Sequence, residues 1–80
     1  MFFYTYVLRC TDGDLYIGST NDLKRRLSQH EAAEVPATAP RLPVLLVYYE
    51  ACRSETGARV REKQLKTGFG RRYLKQRLEL

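Results

Sequence analysis

Arg26 and His30, the chain's only histidine, stand four residues apart at the end of the run Leu15-Tyr16-Ile17-Gly18-Ser19-Thr20-Asn21-Asp22-Leu23-Lys24-Arg25-Arg26-Leu27-Ser28-Gln29-His30. On a helix that spacing puts a permanent cation and a titratable ring on one face, a pair able to hold an anion and to accept a proton. His30 in this place is equally a C-terminal helix residue favoured by the dipole. Glu62 is one of two carboxylates after residue 56 and is surrounded by Arg59, Arg61, Lys63 and Lys66. It either pairs with them on the surface or holds a hard divalent cation such as Mg²⁺, which takes one or two carboxylates plus substrate phosphates. Tyr6 and Tyr16 belong to neighbouring strand-like runs and can share one sheet face, as packed residues with satisfied hydroxyls or as part of a site. One His and two isolated Cys leave no ligand set for structural zinc. Glycine-rich phosphate loops, a Gly-x-Ser-x-Gly elbow and a Cys/His nucleophile pattern are absent from the sequence.

The elements that must position these groups can be read in order. Phe2 to Cys10 is rich in aromatic and β-branched residues, Thr11-Asp12-Gly13-Asp14 has turn chemistry, and Leu15 to Gly18 returns, which predicts a hairpin. Alternation puts Tyr4, Tyr6 and Leu8 on one face and Phe3, Thr5 and Val7 on the other, so both faces are expected to be at least partly covered. Gly18 is expected to end the strand, and Thr20 or Asn21 to cap a helix from about Asp22 to His30 with Leu23 and Leu27 as its apolar stripe. Lys24, Arg25 and Arg26 cannot all share the opposite face. Residues 31 to 43, with three prolines and no period, read as a long loop, a length that tends to be functional or mobile. Val44 to Ala51 reads as a central strand. Ser54 is expected to cap a helix running to about Lys66, broken by Gly68 and Gly70, before a short final helix over Arg71 to Leu78 with Leu74 and Leu78 inward.

Eighty residues suit one small domain, residues 1–80, which buries about 60% of its unfolded surface. A hydrophobic content of 44% is too high for a disordered chain. The opening residues lack a basic n-region and read as a strand, not a signal peptide, and no run approaches the roughly 18 apolar residues of a membrane span. Cys10 and Cys52 are expected to be buried thiols in a reducing cytoplasm. The net charge of +5 is unevenly spread: residues 1–56 hold six Lys/Arg and seven Asp/Glu, residues 57–80 eight and two. That basic block, interleaved with Phe69 and Tyr73, suits a polyphosphate partner through counterion release. From composition alone it suits a solvated helical face equally well.

The ordered set of residues resembles the GIY-YIG nuclease superfamily, and within it the small single-domain bacterial members related to the excision-repair nuclease subunit. Tyr4-Thr5-Tyr6 stands at the first signature, Tyr16-Ile17-Gly18 is the second, Arg26 and His30 follow, and Arg61-Glu62-Lys63-Gln64-Leu65-Lys66 resembles the helix with the metal carboxylate. The resemblance covers nearly the whole chain. It implies an α+β fold with a three-stranded antiparallel sheet flanked by helices, in the order β-β-α-β-α-α, and convergence of Tyr6, Tyr16, Arg26, His30 and Glu62.

It further implies a cytoplasmic endonuclease that cuts DNA, branched or single-stranded forms included, in repair or recombination. A single Mg²⁺ or Mn²⁺ would sit on Glu62, Arg26 would clamp phosphate, Tyr6 would activate or orient water with His30 as proton acceptor, and Tyr16 would hold phosphate or water. Lys24, Arg25, Lys66, Arg71, Arg72, Lys75 and Gln76 are the expected nucleic-acid contacts. The sequence departs from the family pattern at Tyr4 and Thr5, where the signature has Gly and Ile, and at Gln76, where relatives often have Asn. The competing expectation is a nucleic-acid-binding module that keeps the fold without turnover.

Overall fold

A computed structural model describes residues 1–79. Strands β1 (Phe3–Arg9), β2 (Leu15–Thr20) and β3 (Leu45–Cys52) form one antiparallel sheet in the order β2-β1-β3, with helices α1 (Leu23–Glu31), α2 (Glu55–Leu65) and α3 (Gly68–Leu78). This is the three-stranded α+β architecture expected from the sequence. The aromatic and β-branched β1 is central because it is apolar on both faces, and Thr5, Tyr6, Val7 and Leu8 are all buried.

Register assigns the two faces. Tyr6 pairs with Gly18 on one side and Tyr49 on the other, so these share a face with Tyr4, Leu8 and Tyr16; Val7 pairs with Ile17 and Tyr48 on the opposite face. The Val7 face receives α2 and α3. There Val7, Ile17, Leu65 and Leu74 make the core, joined by Leu15, Val47, Tyr48, Tyr73 and Leu78, and the Thr5 hydroxyl donates to the Ala58 carbonyl at 2.9 Å. The Tyr6 face receives His30 of α1 and the segment after it.

Several boundaries differ from the expected ones for local physical reasons. Gly18 does not end β2, which continues to Thr20; a Cβ at Gly18 would lie 2.6 Å from the Tyr6 hydroxyl, so the glycine makes room for that ring within the sheet. The cap of α1 is Asp22, whose carboxylate accepts from the Arg25 N–H at 3.1 Å, and not Thr20 or Asn21. Ser54 caps α2 as expected. Gly68 and Gly70 lie inside α3, which Thr67 caps. Gly70 is buried where any Cβ would strike the backbone of Gln64 and Leu65, so it allows the two helices to touch end to end. Cys10 is buried, but Cys52 is exposed at the end of β3, where its thiol donates to the Ser54 carbonyl.

The long loop is neither featureless nor free. It contains a short 3₁₀ turn, Ala39–Arg41, and the buried Val35 and Thr38. The Arg41 carbonyl accepts from the Thr11 N–H at 3.1 Å, and the Arg41 guanidinium pairs with Asp12 at 3.1 Å and Asp14 at 3.4 Å. The loop is thus fastened to the β1–β2 turn. No helix among the described residues is long and apolar enough to cross a membrane.

Candidate active site

α1 turns Arg26 and His30 toward the sheet, and its three consecutive cations divide as helical geometry requires: Lys24 and Arg25 are exposed, Arg26 half-buried. His30 is fully buried between the two tyrosines. Ring centroids are 5.7 Å apart for Tyr6 and His30, 5.2 Å for Tyr16 and His30, and 6.4 Å for Tyr6 and Tyr16. The Tyr6 hydroxyl lies 2.8 Å from His30 Nε2, and His30 Nδ1 lies 2.7 Å from Thr38 Oγ1. Thr38 donates its own proton to the Val35 carbonyl at 3.5 Å. It can therefore accept from Nδ1–H, which leaves Nε2 as the acceptor for Tyr6; this network assigns a neutral imidazole with a defined tautomer.

The electrostatics agree with that assignment. Burial first, and the Arg26 charge second, hold His30 below the ordinary histidine pKa. Burial pushes the Tyr6 phenol up, Arg26 opposes this, and the charges of Tyr16 and Glu62 reinforce it. At neutral pH the pair is therefore tyrosine and imidazole, with the proton on oxygen. The Arg26 guanidinium neighbours both tyrosine hydroxyls, Tyr6 being the larger influence on it, and donates to Gln29 Oε1 at 3.0 Å.

Glu62 comes from the other helical layer and meets this group around the edge strand β2. Its carboxylate accepts from Lys66 Nζ at 2.7 Å, one turn along. Burial pushes its pKa up, but Lys66 and the neighbouring Ser19 outweigh this and keep it ionised. Ser19 lines a cleft of about 350 Å³ with Arg25, Arg26 and Gln29. Lys66 lines another, of about 590 Å³, with Tyr16, Arg71 and Lys75. The two neighbours of Glu62 thus line one cleft each, Ser19 that of Arg26 and Lys66 that of Tyr16.

Of the expected nucleic-acid contacts, Arg25, Lys66, Arg71 and Lys75 border these clefts. Lys24 lines a separate groove with Tyr4 and Tyr49, and Arg72 and Gln76 are exposed on α3 outside both clefts. Tyr6 is 1% exposed and Tyr16 half-buried, so Tyr16 lines a cleft and Tyr6 stands behind it. Thr38 was missed; its only sequence signal is a hydroxyl within a loop following the histidine.

This constellation on this fold defines a GIY-YIG catalytic domain: that family's profile matches residues 2–76, and the chain belongs to the family, which is one of nucleases. The relatives are UPF0213 proteins. The chain is 50% identical over 56 residues to the UPF0213 protein SAG0778 of Streptococcus agalactiae, covering 69% of this chain and 64% of that one. It is 40% identical over 65 residues to the UPF0213 protein DP2720 of Desulfotalea psychrophila, covering 79% and 59%. The match therefore spans about three-fifths of the length of these relatives. The solution structure of the UPF0213 protein BH0048 from Bacillus halodurans superposes with a TM-score of 0.58 at 32% identity, over 92% of this chain and 82% of that one.

Proposed function

We propose that the chain is a Mg²⁺-dependent endonuclease that hydrolyses DNA phosphodiesters by attack of water, with low sequence specificity, in repair or recombination. The observation that carries this reading is the buried hydrogen-bond chain Tyr6–His30–Thr38, packed against Tyr16 and Arg26, which line two neighbouring cation-bearing clefts. Among the described residues no three His, Cys, Asp or Glu cluster as an all-protein metal cage. One ionised carboxylate nevertheless suits Mg²⁺, which keeps most of its water and shares substrate phosphate. Glu62 would hold a single Mg²⁺ or Mn²⁺, which when bound neutralises charge on the phosphate and leaving oxygen.

The chain's own residues supply the rest. Arg26 clamps non-bridging phosphate oxygens through its planar fork. Tyr16 orients the attacking water at the cleft. The water gives its proton to the Tyr16 oxygen as Tyr16 gives its own to Tyr6 and Tyr6 gives its own to His30 Nε2. Ionising a free tyrosine at pH 7 costs about 4 kcal/mol, and burial adds to that cost for Tyr6, so concerted transfer to neutral His30 is the cheaper route. Arg26 beside the resulting imidazolium favours prompt release of the proton. Arg25, Lys66, Arg71 and Lys75 meet phosphates and not base edges, which gives binding that is salt-dependent and indifferent to sequence.

The test is incubation with end-labelled single-stranded, duplex and branched DNA, with and without Mg²⁺, beside Glu62→Gln. Cleavage that requires Mg²⁺ and falls about a hundredfold or more in Glu62→Gln is expected. Cleavage that persists in Glu62→Gln overturns the metal assignment. Binding of all three substrates with no cleavage overturns the enzyme in favour of a binding module.

A further inference from the structure

Phe69 is the most exposed of the nine aromatic residues, with 80% of its surface open to solvent. Its position is not a consequence of a loose chain end. It lies in the first turn of α3, which Thr67 caps by accepting from the Gly70 N–H at 3.2 Å. Gly70, the next residue, is buried against Leu65 so closely that no Cβ fits. The ring is thus displayed from a clamped turn. Arg72 lies over it with Cζ 5.0 Å from the centroid, a cation–π contact that uses one surface of the ring.

The surroundings select the kind of partner. Residues 63–78 contain six Lys/Arg and no Asp/Glu. In the sequence Phe69 falls between Lys66 and Arg71, both of which border the Tyr16 cleft. A lone aromatic ring among cations matches a strand that presents a phosphate backbone and a bare π-face. Single-strand binders combine these two features. A paired duplex hides its base faces in the stack, so the ring can engage only an unpaired base.

Resting on the nuclease reading above, we propose that Phe69, with Arg72 beside it, is a stacking platform for an unpaired base. It makes single-stranded or locally unpaired DNA the preferred substrate, bound by phosphate contacts from Lys66, Arg71 and Lys75. The platform is separate from the reacting groups: it binds and does not take part in bond cleavage.

The test is fluorescence anisotropy of the full chain at one fixed salt concentration without Mg²⁺, using a labelled single strand and a blunt duplex of the same sequence. Phe69→Ala is expected to weaken single-strand binding about tenfold and duplex binding less than twofold, and Phe69→Trp to restore the single strand. Because the ring is exposed, the thermal midpoint of Phe69→Ala should match that of the parent, so lost binding is not lost folding. Equal loss on both DNAs, or no loss on either, overturns the platform and leaves the nuclease reading standing. A parent chain that binds neither DNA overturns both.

Discussion

Two tyrosine-containing polar networks lie on opposite faces of one sheet, and they are built for different work. On the α2–α3 face, Arg61 grips Glu50 through three contacts of 2.9–3.0 Å, Tyr48 donates to Glu50 at 2.6 Å and meets the Tyr73 hydroxyl at 3.0 Å, and Arg61 lies 5.0 Å from the Tyr73 ring centroid. Burial and then the Glu50 carboxylate push the Tyr48 phenol far up, while Arg61 and Tyr48 outweigh burial to keep Glu50 ionised. The network is anchored on the Arg61–Glu50 ion pair. On the α1 face the Tyr6–His30–Thr38 chain has no carboxylate, and its acceptor is a neutral imidazole that can take a proton. Fixed charges pin helices to a strand; a neutral chain with a set tautomer can relay.

That contrast can be broken by substitutions on either side. The largest effect is expected from Tyr6→Phe, which removes the relay hydroxyl and should lower Mg²⁺-dependent cleavage by about 10²–10⁴-fold, measured by single-turnover kinetics, at a stability cost near 1 kcal/mol. A loss below tenfold would show that Tyr6 only packs. Thr38→Val frees the His30 tautomer and should cost cleavage about tenfold, whereas unchanged kinetics would remove Thr38 from the account. Arg61→Met on the other face should do the reverse. Arg61 and Glu50 are each about one-third exposed, so the destabilisation is expected to be about 1–2 kcal/mol by denaturant melts, with cleavage well below the midpoint within a few-fold of the parent.

The smallest effect separates the faces by pH. Folded His30 binds its proton less readily than a free histidine, so below about pH 6.5 the unfolded chain binds more protons and stability falls as pH drops. Glu50 is held below the ordinary carboxylate pKa of 4.5, so its contribution is present above that value and lost only as pH falls further. Thermal midpoints across pH should therefore lose the upper step in His30→Gln and show a smaller lower step in Glu50→Gln, the remainder of which belongs to Glu62 and Asp12. A single common step would contradict the separation.

Much of this was legible in the sequence because it follows from short-range rules. Period-two alternation put Tyr6 and Tyr16 within reach of one face, i,i+4 spacing joined Arg26 to His30, and Ser54 announced α2. What was hidden depended on contacts distant in the chain. Gly18 reads as a strand end until Tyr6 is seen to need its missing Cβ. Thr38 has no period to betray it and acquires its role only when the loop is fastened by Arg41 to Asp12. Arg61 reads as one more cation near Glu62, although its partner, Glu50, lies eleven residues back on β3. The order of Tyr6 and Tyr16 relative to the cleft is a matter of burial, which alternation cannot rank.

The most direct measurement is the pH dependence of single-turnover DNA cleavage in Mg²⁺ for the parent and His30→Gln. If His30 accepts the proton as a neutral imidazole, the parent rate falls on an acid limb with a midpoint below 6.5, and the residual activity of His30→Gln has no such limb. A limb that survives in His30→Gln, or a parent midpoint above 6.5, would contradict the relay.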